Sequence, residues 1–374
     1  MVRLSFITLI LMLSHCNLAF AEAKPLHIAL VGPFTGAYAA YGTQLLSGAT
    51  QAINDLNKAG GIKGMNLEIT PIDDQCNPDL ALTQATKLIK DKHYQAVIGH
   101  VCSSTTLATS NIYAKDHMLV ITPTSTNTKI TERNIPTLFR MTGTDYTQSS
   151  VAANFIARNL NSSNVAILHD QELYSKSLAD LVSEQLVRLG KAPVLYQAIP
   201  RGTHNFASIV KKLKALKVDA LYFAGLYPEV SALAQALNSF QLQIPLISGD
   251  ALALHKFVTA AGGPKIAQSV ILSFGNNPKN LVSSQTVIHA MQEQHLETSG
   301  YSLYAYAAVQ VIAKAIDSTN STDGKTLANW LHHNEVDTVL GKKSWDTNGD
   351  IVEGGFKMYS WGGENAMELV ALEF

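Results

Sequence analysis

An α/β protein of two lobes, each built on a parallel sheet, is the fold class the sequence predicts, and three observations carry that prediction. Short apolar runs alternate with amphipathic helical runs along nearly the whole chain. The apolar runs recur roughly every 25–30 residues with helical stretches between them, the signature of βαβ units. The pattern then restarts after Asp145, as though a second unit of similar build began there.

The elements follow in order. LHIALVGP reads as a strand, and Tyr41 to Ala59 as a helix stopped by Gly60-Gly61. NLEITPID is a strand and Asp79 to Lys92 a helix. QAVIGH and MLVITP are strands flanking a helix from Leu107 to His117. After the restart come NVAILHD, a helix over 175–189, VLYQAIP, a helix over 205–217, DALYFAG, a helix over 228–240, and LIS. SVILSFG leads to a long helix from Tyr304 to Ser318. The tail KSWDTNGDIVEGGFKMYSW reads as a hairpin turning at Asn348-Gly349. Asp346, Asn348 and Asp350 raise a calcium loop there, but the glycine comes too early for an EF-hand and the distal glutamate is missing, so a plain turn is the better reading.

The first 21 residues have the form of an export signal. Arg3 supplies the charged start, FITLILML the apolar core, and Ala19-Phe20-Ala21 the cleavage site. That apolar run is too short to span a bilayer. His15 before Cys16 argues against lipid attachment, so cleavage after Ala21 and release as a soluble exported protein is expected. The remaining 353 or so residues exceed one comfortable core, so two domains are the default. Removing Arg3 leaves 27 basic and 29 acidic residues, a near-neutral balance with no electrostatic footprint for nucleic acid. The densest basic stretch, KKLKALK at 211–217, carries Leu213 and Leu216 at helical spacing and reads as the wet face of a helix. Two cysteines, Cys76 and Cys102, remain in an oxidising compartment. Neither lies in a CxxC and no histidine spacing suggests zinc, so they predict one disulfide.

In open parallel sheets ligands bind beyond the carboxyl ends of the strands, where helix N-termini offer free N–H groups. Several polar residues fall at those ends: Ser103 and Ser104 after QAVIGH, Thr124 and Thr126 after MLVITP, Tyr174 after VAILHD, Asp250 after LIS. One lobe therefore supplies hydroxyls and helix N-termini, which suit an anion; the other supplies a carboxylate, which suits a cation. An α-amino acid carries both charges close together and would satisfy both. Each residue also has a plainer reading. Ser103 and Asp250 could cap the helices that follow them, Thr126 could be a turn residue, and Tyr174 and Tyr301 could be core aromatics.

Catalytic motifs are not found: the sequence holds no G-x-S-x-G, HExxH, GxGxxG or P-loop. His100 and Cys102 are neighbours, but a bridged sulfur is no nucleophile. His332 and His333 are adjacent on a helix and diverge too far to share a metal. No enzyme, cofactor or metal is expected.

The segments LHIALVGPFTGAYAAYG, GGIKG at 60–64, DDQCNP at 73–78, VIGHVCSSTT, ITPTST at 121–126 and VDTVLGKKSWDTNGD together resemble the periplasmic branched-chain amino acid (leucine/isoleucine/valine) binding proteins of the type I class. The likeness runs from about Leu26 to Trp361. It implies two Rossmann-like lobes joined by a three-crossover hinge, with the ligand cleft between them and the disulfide near it. The lobes would comprise 24–144 plus 274–352, and 145–273 plus 353–374. It implies a non-enzymatic, monomeric periplasmic protein that delivers its ligand to an ABC permease.

Carried over by position, Ser103 would donate its hydroxyl and N–H to the ligand carboxylate, Thr126 would contribute hydroxyl and backbone, and Thr124 its backbone. Asp250 stands where the family has a glutamate that pairs with the ammonium, one methylene shorter. Tyr174 would lie over the ligand. Tyr41, Val101, Cys102 and Tyr301 would wall the side-chain pocket, Tyr301 replacing a phenylalanine and Thr124 a common alanine. In YFAGLYPE a ligand-facing tyrosine of the family gives way to Leu226, with Tyr227 beside it. Either Tyr227 swings in, or the pocket is larger and more apolar on that side. A ligand sensor docking on a receptor, or a binder of amides or aromatic amino acids, would share this fold. An exported hydrolase using Cys102 is the remaining rival.

Overall fold

The computed structural model describes residues 24–363 and 368–372; the export signal expected over 1–21, with Cys16, lies outside the described residues. In chain order the first lobe begins β1 (Leu26–Gly32), α1 (Ala39–Lys58), β2 (Leu67–Asp73), α2 (Pro78–Lys90), β3 (Tyr94–Gly99), α3 (Ser103–Lys115), β4 (Leu119–Thr122) and β5 (Leu138–Arg140). The second sheet's units follow as α4 (Asp145–Asn154), β6 (Val165–His169), α5 (Leu173–Arg188), β7 (Leu195–Ala198), α6 (Ala207–Ala215), β8 (Ala220–Ala224), α7 (Tyr227–Ser239), β9 (Leu246–Ser248), α8 (His255–Ala260), α9 (Pro264–Ala267) and β10 (Val270–Phe274). The chain then runs through α10 (Gln285–Glu293), α11 (Ser302–Thr319), α12 (Gly324–Leu331), β11 (Val336–Thr338), β12 (Gly341–Lys343), β13 (Lys357–Gly362) and β14 (Glu368–Ala371).

The first sheet is wholly parallel, in the order β2-β1-β3-β4-β5. The second repeats that order as β7-β6-β8-β9-β10, again parallel, and adds β13 and β14 antiparallel on its far edge. The central strands are buried on both faces, which is why they read as unbroken apolar runs: β6 and β8 are buried at every residue. Both sheets reverse strand order beside their first strand, so each has a crevice at its carboxyl edge.

Three passages of chain join the lobes: from β5 into α4, from β10 toward α11, and from β12 into β13. The first and third cross in contact, since a Cβ on Gly143 would lie 1.9 Å from the carbonyl oxygen of Gly354. Helix α11 is buried along most of its length and packs on α1, which returns that part of the chain to the first lobe. Among the described residues no helix is long and apolar enough to cross a membrane.

The tail differs from the expected hairpin. Around Asn348-Gly349 the pairing is one antiparallel bridge, Trp345 with Ile351. The KMYSW stretch pairs instead with β10 and β14, because its buried positions complete the second sheet. The turn is held by Asp346, whose Oδ1 accepts the N–H groups of Asn348 (2.8 Å) and Asp350 (2.9 Å). Asp350 pairs with the buried Arg140 at 2.5 Å. The acidic side chains of the turn are thus occupied within the protein.

Candidate ligand-binding site

A cavity of about 440 Å³, partly open to solvent, lies between the carboxyl edges of the two sheets. The first lobe contributes Tyr41 after β1, Val101, Cys102 and Ser103 after β3, and Thr124 after β4; Tyr301, at the start of α11, comes from the chain that follows β10. The second contributes Glu172 and Tyr174 after β6, Leu226 after β8, and Asp250 and Ala251 after β9. Nine of the eleven lining residues were expected from sequence as ligand residues; Glu172 and Ala251 were not.

One side of the cavity is built to receive an anion. Ser103 and Ser104 open α3, a thirteen-residue helix whose first N–H groups have no partner within the helix. The loop before α3 is fixed by Cys102 bridging to Cys76, with Cα atoms 5.5 Å apart. It is also fixed by hydroxyls: Thr122 donates to the His100 carbonyl at 2.9 Å and Ser125 to that of Val101 at 3.1 Å. The Thr124 hydroxyl donates to the same Val101 carbonyl at 2.8 Å. The group that an alanine would lack is therefore spent on the loop. His100 is fully buried between Asp74 (2.6 Å) and the Tyr113 hydroxyl (3.0 Å), which makes it part of this scaffold. With its sulfur in the disulfide, Cys102 offers no thiol for the hydrolase reading.

The other side holds carboxylates. Asp250 Oδ1 accepts from Tyr174 Oη and from Gln148 Nε2, both at 2.8 Å, and Oδ2 accepts from Tyr301 Oη at 2.5 Å. Two departures from the family pattern meet here: the carboxylate is one methylene short, and the hydroxyl of Tyr301, which phenylalanine would not have, donates to it. Burial raises the Asp250 carboxyl above its ordinary value, against the pull of the three donors. Asp145, the first residue of α4, is fully buried beside the Thr126 side chain. Burial, with the charge of Asp250 adding to it, pushes this carboxyl up to about 8, despite Thr126 and Arg140. Thr126 is likewise buried, and its carbonyl accepts the Asp145 N–H at 2.8 Å. Thr126, next to Asp145, is not among the residues that line the cavity.

Sequence reading missed Asp145, Gln148 and Glu172. The first two sit on a helix whose buried face begins with Asp145, Gln148 and Ser149 and carries only Ala152 and Ala153 beyond them, so its apolar period is weak. Glu172 caps α5 through the Tyr174 N–H (2.6 Å), interacts with the Ser104 side chain, and lines the cavity. Its only sequence signal was a carboxylate two residues before Tyr174. Leu226 lines the cavity, whereas Tyr227 is buried against the Tyr41 ring and donates to the Ala37 carbonyl across the cleft at 2.8 Å. Among the described residues no group of three or more His, Cys, Asp or Glu could hold a metal ion.

Two doubly wound lobes that face each other across such a cavity define a two-lobed binding protein, one that takes a small molecule between its sheets. Residues 25–365 match the sequence profile of one such group, and the chain belongs to the periplasmic binding protein family. It is 37% identical over 334 residues to an amino acid binding protein of Pseudomonas aeruginosa, covering 89% of each chain. It is 31% identical over 350 residues to the Leu/Ile/Val-binding protein of Escherichia coli, covering 93% of this chain and 94% of that one. Among solved structures, the branched-chain amino acid transporter substrate binding protein of Streptococcus pneumoniae in complex with isoleucine superposes with a TM-score of 0.83 at 24% identity, covering 93% of this chain and all of the other. The last likeness concerns the fold.

Proposed function

We propose that this protein captures a branched-chain or similar apolar α-amino acid between its lobes and delivers it to an ABC permease from the periplasm, after export and cleavage at Ala21. The lobes are taken as 24–144 plus 274–352 and 145–273 plus 353–374. The observation that carries the reading is the polarity of one cavity: helix N-terminus and hydroxyl on one side, a preorganised carboxylate on the other, and apolar wall between them. The ligand carboxylate would take the Ser103 hydroxyl and the first N–H groups of α3, with backbone from Thr124. The ammonium would pair with Asp250, the aspartate that lines the cavity, since a desolvated cation needs a counter-charge. Tyr174, which holds Asp250, would cover it. Tyr41, Val101, Cys102, Leu226, Ala251 and Tyr301 would receive the side chain. The relatives' descriptions support the ligand class.

The test is calorimetric titration of refolded, ligand-free mature protein with leucine, isoleucine and valine, and with glycine, glutamate and phenylalanine for contrast. Tight binding confined to the three aliphatic amino acids is expected. Preference for phenylalanine would move the assignment to an aromatic ligand, and silence across the panel would refute it in favour of an amide or sensory role.

A further inference from the structure

We propose that the Tyr41 hydroxyl is a positioning group for ligand capture, a clasp that forms only when the lobes close and that holds both ends of the cavity in place at once. The inference rests on the cavity being the ligand site. Tyr41 lies in the first turn of α1 in the first lobe, and its ring is one wall of the cavity. Its hydroxyl donates to the carbonyl of Ala251 at 2.8 Å and accepts the N–H of Tyr227 at 3.1 Å. Both partners belong to the second lobe, but to different loops. One loop follows β9 and the other follows β8. Each partner is one residue away from a cavity residue, Asp250 in the first case and Leu226 in the second.

A single oxygen from one lobe therefore sets the loop that carries the ammonium partner and the loop that carries the apolar wall. Tyr41 is only 6% exposed, so water does not compete for these bonds in the closed form. Removing the oxygen would leave a buried carbonyl and a buried N–H unpaired, at the full cost of their desolvation. In an open form water can serve all three groups, so that cost falls on the closed state alone. Other contacts also bridge the lobes: Tyr301 Oη donates to Asp250 Oδ2 at 2.5 Å and Gln44 Nε2 to the Ala253 carbonyl at 3.1 Å, each reaching the loop after β9 alone. Tyr227 Oη on the Ala37 carbonyl and the Arg201 guanidinium 4.6 Å over the Tyr38 ring join the lobes, but none of Tyr227, Ala37, Arg201 and Tyr38 lines the cavity. These two add to closure without fixing Asp250 or Leu226, whereas Tyr41 bonds both cavity loops from one atom.

The experiment compares parent, Tyr41→Phe and Tyr227→Phe as full mature chains, using the tightest-binding amino acid of the panel above. Association and dissociation rates are read by stopped flow, and the melting temperature of the ligand-free protein is read alongside. Tyr41→Phe keeps the ring wall, so its association rate should stay within about twofold of the parent. Its dissociation should be faster by roughly tenfold to thirtyfold, the worth of two hydrogen bonds. The ligand-free melting temperature should not move. Tyr227→Phe should speed dissociation by about threefold or less. Unchanged dissociation in Tyr41→Phe, or a loss no larger than in Tyr227→Phe, would overturn the clasp while leaving the ligand reading intact. A lowered ligand-free melting temperature would also overturn it, by making the hydroxyl a plain structural group. A parent that binds no member of the panel refutes the ligand reading, and the clasp with it.

Discussion

Replacing Asp250 by Asn isolates the charge on which the proposed site depends. The substitution is close to isosteric, and the hydrogen bonds around the residue predict that it is tolerated. The Asn Oδ1 can still accept from Tyr174 and Gln148, and its NH2 group can donate to the oxygen of Tyr301, which now reverses its role. What is lost is the counter-charge for a ligand ammonium. At about 4 Å and an effective dielectric near 20, that interaction is worth about 4 kcal/mol, close to a thousandfold in affinity. Asp145, held protonated by burial up to about pH 8, supplies little charge in its place, so the expected loss for leucine is roughly a thousandfold. Stability should move the other way. Burial already disfavours the charged form of Asp250, so neutralising it relieves a desolvation cost in the ligand-free protein. Calorimetry for leucine and a thermal melt without ligand check both. A folded Asp250→Asn protein that binds leucine as tightly as the parent would refute the assignment of the ammonium to this carboxylate.

Two further predictions concern stability. The Asp145 carboxyl sits at about 8 in the folded protein against an ordinary 3.8, so its contribution to folding is fully present below about pH 4 and is lost as pH rises toward 8. Asp145→Asn should therefore be more stable than the ligand-free parent at pH 8 and nearly equal to it at pH 4; parallel melting curves across that range would contradict the burial argument. Reducing the Cys76–Cys102 bridge releases a loop with a sequence separation of 26, which in the chain-entropy account costs roughly 3 kcal/mol. Melts with and without reductant should differ accordingly, and no free thiol should be found in the native mature protein.

Much of this protein was legible in its residues. Strands buried on both faces announce themselves as apolar runs, and β1, β3, β4, β6, β8 and β10 were read that way. The loops after those strands then pointed to Ser103, Thr124, Tyr174 and Asp250, because parallel sheets collect ligand groups at their carboxyl edges. The two cysteines were enough to pair. Helix α4 was not legible, since a buried face that begins with Asp145, Gln148 and Ser149 and carries only Ala152 and Ala153 beyond them gives a weak apolar period. The tail strand was legible as a strand but not in its partner, because pairing across a sheet edge is decided by which edge is vacant.

The strands along the chain, the presence of two cysteines and the polar groups at each strand end were thus properties of local sequence, set by periodicity and side-chain chemistry within a few residues. Which of those groups meet was decided only in the folded protein. The bonds that shape the cavity join residues far apart in the chain: Tyr41 with Ala251 and Tyr227, Asp250 with Gln148, Tyr174 and Tyr301. Hydrogen bonds act over about 3 Å, so they depend on how two lobes come together across a cleft, and no periodicity along the chain encodes that distance.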